Sequence, residues 1–136
     1  MTQRTLTILR ATSGSGKTTF SERIADPKII CSADDYFTDK DGNYNFDATK
    51  LGAAHGACRA KFDEALKDPI INNIVIANTN TKESEWKYYA DQAEKAGLLV
   101  FFVVLEKRHD NINVHGVPQA VLDRQENTIR QTLKLQ

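Results

Sequence analysis

The chain has 136 residues, enough for one domain with a single buried core. Its 40% hydrophobic and 26% charged residues are ordinary for a globular protein, and its 18 basic and 18 acidic residues cancel. That balance excludes a basic field over the whole surface, though not a local basic groove for nucleic acid. Cys31 and Cys58 stand alone, in neither CxxC nor metal-ligand spacing, and read as reduced, partly buried thiols of a cytoplasmic protein. No apolar run approaches the ~20 residues of a membrane span. The opening Met-Thr-Gln-Arg leads straight into a strand, so neither a signal peptide nor a membrane partner is expected.

In chain order, residues 4–10 read as a first strand rich in Thr, Leu and Ile. A helix is predicted over 16–25 and stopped by Asp26-Pro27. A short strand follows, Lys28 to Cys31, then Ser32-Ala33-Asp34-Asp35-Tyr36 and a polar loop from Thr38 to Asn45. Asp47 suits the cap of a long helix to about Lys67, whose apolar positions Leu51, Ala54, Cys58, Phe62, Ala65 and Leu66 recur at helical spacing. Asn73 to Ala77 is short and apolar, as a buried parallel strand should be. The next helix carries Trp86, Tyr89, Ala90 and Ala93 on one face and ends near Gly97. Leu98 to Leu105 is the fourth strand, followed by a polar loop, Glu106 to Gly116, and a final helix with Val121, Leu122, Ile129 and Leu133. No repeat, linker or low-complexity segment interrupts the chain. The βαβαβαβα alternation predicts an α/β fold: a short, mostly parallel sheet of about four strands, three layers deep, covered by helices on both faces.

The stretch Ala11-Thr-Ser13-Gly14-Ser15-Gly16-Lys17-Thr18 lies between the first strand and the first helix. That is the setting a phosphate-binding P-loop of the form GxxxxGK[ST] requires, with Ala11 in place of the first glycine. Gly14 and Gly16 let backbone N–H groups turn inward to ring an anion, and the helix beginning near Lys17 aims its positive end the same way. Ser13 to Thr19 are therefore the expected contacts of ATP, with Lys17 on the β/γ-phosphates and the Thr18 hydroxyl on Mg²⁺.

In parallel sheets, ligands bind beyond the carboxyl ends of the strands. Ala11–Thr18, Asp34-Asp35, Asn78–Asn80 and the 106–116 loop all follow such ends and should converge on one rim. Phosphoryl transfer to a hydroxyl needs a carboxylate to take the proton, a role for Asp34, with Asp35 beside it toward the acceptor. Asn78, Thr79 and Asn80 end the strand that in many P-loop proteins supplies an acidic Mg²⁺ partner. Their amides suit a water, the loop or the acceptor, with Asn80 the candidate for the acceptor; plain turn chemistry is the alternative. Lys107, Arg108, His109 and His115 give the 106–116 loop the character of a mobile lid, from which Arg108 would stabilise charge on the transferring group. The histidines lack metal-site company. His55 reads as a packed histidine, and Trp86, Tyr88 and Tyr89 as packing groups before base-stacking ones.

S-G-S-G-K-T-T, C-S-A-D-D-Y-F, G-x-Y-x-F-D with A-H-x-x-C, N-T-N and H-G-V-P together resemble the polynucleotide-kinase-like P-loop kinases of phages and animals. The resemblance runs from about Leu6 to the last helix. It implies ATP-dependent phosphorylation of a 5′-hydroxyl end of RNA or DNA, with Asp34, the first aspartate of D-D-Y, as general base. Against the family pattern, Ala77 and Asn78 stand where an acid is common, and Ile112 where an arginine precedes the Asn of the last loop.

The leading expectation is a single cytoplasmic P-loop kinase domain over 1–136, using ATP and Mg²⁺ on a polynucleotide 5′ end. Two alternatives remain open: a small-molecule kinase on the same fold, or a weakly catalytic nucleotide-binding or interaction protein. A ligase that consumes 5′-phosphorylated ends, or a host protein, is the class of partner these readings suggest.

Overall fold

The computed structural model describes residues 3–108 and 116–133. Runs of β-branched and other apolar residues form β1 (Thr5–Arg10), β2 (Lys28–Cys31), β3 (Asn73–Ile76) and β4 (Leu99–Val104). They make one sheet in the order β2-β3-β1-β4, with every pairing parallel. Parallel neighbours need crossovers, which α1 (Lys17–Glu22), α2 (Leu51–Lys67) and α3 (Glu83–Lys95) provide, before α4 (Gln119–Thr132). The α/β architecture is the expected one.

Side chains alternate across the sheet, so register decides which residues share a face. Leu6 lies opposite Ile74 and Ile8 opposite Ile76, and these join Cys31 with Cys58 and Phe62 of α2 and Tyr89, Ala90 and Ala93 of α3. The Phe62 and Tyr89 rings meet edge to face at 5.0 Å. On the opposite face Leu9, Val75 and Ala77 are buried against Phe20 and Ile24. Helices therefore cover both faces, but unequally. The larger buried cluster lies on the α2/α3 face; β4 is an edge strand about half exposed on both faces, at Leu99 and Phe101 on the α1 side and at Phe102 and Val104 on the other.

Strand ends differ from expectation by at most one residue, and two helix boundaries differ by more. α1 ends at Glu22 rather than 25, because the Arg23 N–H reaches the Phe20 and Ser21 carbonyls and tightens the last turn. Asp47 caps a 3-10 turn, Ala48–Lys50, by accepting from the Thr49 N–H, and that turn feeds α2. At the other end of α2, Arg4 donates to the carbonyls of Ala65, Leu66, Asp68 and Ile71 at 2.9–3.1 Å. A fixed cation there satisfies orphan carbonyls and complements the helix dipole. Cys31 and Cys58 are free and buried. No helix among the described residues is long and apolar enough to cross a membrane.

Candidate active site

Residues 11–16 leave the carboxyl end of β1 and enter α1 through two glycines with positive φ, Gly14 at 75° and Gly16 at 101°. Gly16 caps α1 in the left-handed region, where a Cβ would be strained, and its carbonyl accepts from the Phe20 N–H. The Thr12 carbonyl is drawn inward: it accepts from the Ser15 N–H, the Ser15 hydroxyl and, at 2.9 Å, the Lys17 ammonium. Burial pushes Lys17 down to about 8 from 10.5, while the Asp34 carboxylate, lying near it, holds it up in part. A half-desolvated cation parked on a backbone carbonyl is the arrangement an incoming phosphate would displace. Thr18 and Thr19 are exposed in the first turn of α1, and Ser13 is half-buried. These residues fit a nucleotide's phosphates. No cluster of His, Cys, Asp or Glu among the described residues would hold a metal alone. Mg²⁺ would therefore rest on Thr18 and the phosphates, as this ion commonly does.

Asp34 and Asp35 stand in a 3-10 turn, Ala33–Phe37, which sequence periodicity had not suggested. Ser32 caps it by accepting from the Asp34 N–H. Asn78, at the end of β3, accepts from the Ala33 N–H at 2.8 Å and so ties the turn to the sheet. The Tyr44 hydroxyl reaches Asp34 at 3.4 Å. Asp35 is turned outward to Lys61, at 3.6 Å.

Asn80 was expected at the acceptor, but its side chain is 1% exposed. Held at φ 48°, it donates to the Leu9 carbonyl at 2.6 Å, and its Oδ1 is buried without a protein partner. Arg10 binds the same loop from β1, donating to the Asn80 and Thr81 carbonyls at 2.8 and 2.7 Å and to the Thr132 hydroxyl at 2.6 Å. The Ala11 N–H donates to the Thr79 carbonyl. The β3–α3 loop thus braces the root of the P-loop from inside.

Arg108 is exposed and paired with Glu106 at 2.8 Å, just beyond β4, whose end is joined to β1 by the Leu105 N–H on the Arg10 carbonyl. The rest of the expected lid, 109–115, with His109, Ile112, Asn113 and His115, lies outside the described residues. His55, expected to be packed, is exposed on α2. Tyr89 is buried, and Trp86 packs edge-on to Phe102 at 4.7 Å. Sequence reasoning missed Gln125 of α4, whose Oε1 accepts the Ser13 N–H at 3.0 Å. A polar residue on a helix gives no local sign of a partner 112 positions away.

The fold has a counterpart among solved structures. The solved structure of the APS kinase of Mycobacterium tuberculosis superposes with a TM-score of 0.50 at 10% identity, over 96% of this chain and 99% of that one. At that identity the likeness concerns the fold: this is a P-loop kinase fold. Human NEDD4-binding protein 2 is 32% identical over 129 residues, which span 88% of this chain and 7% of that protein. Residues 6–131 match the family described as AAA domain, and the chain belongs to that family.

Proposed function

We propose that the protein transfers the γ-phosphoryl group of ATP to a hydroxyl, most specifically the 5′-hydroxyl end of a polynucleotide. The observation that carries this reading is the meeting of Lys17 and Asp34 at one rim: a cation for phosphates beside a carboxylate on a separately anchored turn. The loop amides and Lys17 bind the β- and γ-phosphates, and the Thr18 hydroxyl would hold a Mg²⁺ ion, whose chemistry there would be to neutralise phosphate charge. Asp34 accepts the acceptor's hydroxyl proton as that oxygen bonds to the γ-phosphorus and the bond to the β-phosphate oxygen breaks, releasing ADP. Arg108 is the cation on the β4 side, free to exchange Glu106 for the transferring group. Asn80 acts as a positioning residue, and Asp35 flanks the acceptor only by leaving Lys61. The motif set D-D-Y-F, N-T-N and H-G-V-P supports the polynucleotide end.

Labelled γ-phosphate, ATP and Mg²⁺ supplied with 5′-hydroxyl RNA and DNA oligonucleotides test it. Lys17→Ala and Asp34→Asn should each lower transfer on the order of 10²–10⁴-fold. Full activity in Asp34→Asn would sink the assignment. The zero net charge favours a small hydroxyl-bearing acceptor as the second reading. An acceptor KM that ignores salt would select it, since polynucleotide binding weakens steeply with salt.

A further inference from the structure

Two residues beyond Asp34, the same 3-10 turn presents an aromatic surface. Tyr36 is 46% exposed and Phe46 is 55% exposed, and both rest against buried Phe37, at ring distances of 5.5 and 5.2 Å. Together with Thr38, Asp39, Asn45, Asp47 and Lys50 they line a cavity of about 390 Å³. Small-ligand sites run from about 300 to 1,000 Å³, so the space suits one compact organic group. Rings of this size left in water beside a cavity cost the fold burial it has taken elsewhere for Phe37.

The polar lining narrows the choice. Asp39 is fixed as an acceptor by the N–H groups of Asp41 and Asn43, both at 2.9 Å. Asp47 is fixed by the Thr49 N–H and hydroxyl, at 3.0 and 2.6 Å. Asp39 also accepts from the Asn43 side-chain amide on its other oxygen, at 3.3 Å. An ionised carboxylate has about four lone-pair sites, so each keeps some acceptor capacity. Two carboxylates against one lysine disfavour a phosphate inside it. They favour an uncharged group with a flat π-face and hydroxyl or amino donors, leaving Lys50 for a phosphate at the mouth.

The cavity is also tied to the transfer site. Phe37 packs against Tyr44 at 6.3 Å, and the Tyr44 hydroxyl reaches Asp34. Tyr36 stands two residues from Asp34 on the same 3-10 turn, about 4 Å along its axis but on a different side of it, since side chains there repeat every third residue.

We infer that Tyr36 and Phe46 form the subsite for the 5′-terminal nucleoside of the acceptor, stacking its base while Asp39 and Asp47 accept from its hydroxyl or amino groups. The inference rests on the reading of Asp34 as the site of hydroxyl delivery. Stacking accepts any base but requires it unpaired, so the preferred substrate class is a single-stranded end.

Two measurements separate this inference from the kinase reading. In transfer assays at saturating ATP, an oligonucleotide whose 5′-terminal nucleotide is abasic should show an acceptor KM about tenfold above that of its normal counterpart. That difference should vanish in Tyr36→Ala and Phe46→Ala, whose side chains are exposed enough for the fold to survive. Transfer with no base effect in the wild type overturns the subsite and leaves the kinase reading standing. Independently of transfer, a 5′-terminal 2-aminopurine followed by an abasic site should lose fluorescence on binding the wild type, and less so on binding Phe46→Ala. Such quenching without any transfer supports the subsite while the kinase reading fails. Unchanged fluorescence with the wild type, or equal quenching by the variant, overturns the subsite.

Discussion

On one face of the sheet, α2 and α3 bury Leu6, Ile8, Ile74 and Ile76 together with Phe62, Tyr89 and Ala93. On the other, the six-residue α1 covers Leu9, Val75 and Ala77, while the edge strand β4 is about half exposed on both faces, at Leu99 and Phe101 here and at Phe102 and Val104 on the α3 side. The thick face holds the fold, and the thin face carries the P-loop. A helix of under two turns contributes little burial, so the position of its first turn depends on the glycine loop and the bonds around Thr12 instead. Stability and phosphate binding are thereby assigned to different sides of the same strands.

Three changes break or sharpen that contrast. The largest effect belongs to Phe62→Ala on the thick face, which should cost about 3–5 kcal/mol in urea unfolding, because Phe62 is 0% exposed and its removal leaves a cavity beside the Tyr88 and Tyr89 rings. Next comes Lys17, where pH is the probe. Its folded value, about 8, lies below 10.5, so the penalty for burying its charge is fully present below pH 8. That penalty is relieved as pH rises from 8 toward 10.5. Phosphates require the charged form, so binding takes up a proton and ATP affinity should fall about tenfold between about pH 7 and pH 9. Calorimetry in buffers of different ionisation heat reads the proton directly; a pH-independent affinity would remove Lys17 from the phosphates. The smallest effect is that of Phe101→Thr on the thin face, about 1 kcal/mol or less. A loss equal to that of Phe62→Ala would mean this face is covered in solution.

Much of this division was legible in the chain itself. The strands announced themselves because short apolar runs sat between Gly- and Pro-marked breaks, and the P-loop because its glycines and Lys17 fall in register between strand and helix. The early end of α1 was not legible: Phe20 and Ile24 continue the helical period while the backbone tightens at Arg23. The turn holding Asp34 escaped because Ala33-Asp-Asp-Tyr-Phe37 has no period, and its anchor is a side chain from 45 residues away. Asn80 read as a candidate for the acceptor, with plain turn chemistry as the alternative. Its burial follows from the Leu9 carbonyl and from Arg10 across the sheet, partners that only the strand order brings near. Tyr36 and Phe46 were visible as letters of a motif, but their exposure together was not.

Arg10 also has a consequence in time. Its bond to Thr132 closes a loop of 122 residues, and the Ser13–Gln125 bond closes one of 112. During synthesis the sheet and both its faces can assemble before either partner has left the ribosome, since β4 ends at Val104. The β3–α3 loop can brace the root of the phosphate loop by then, and the bonds from Thr132 and Gln125 are added when α4 docks, so a nascent chain acquires its shape first and the last ties on that loop afterwards.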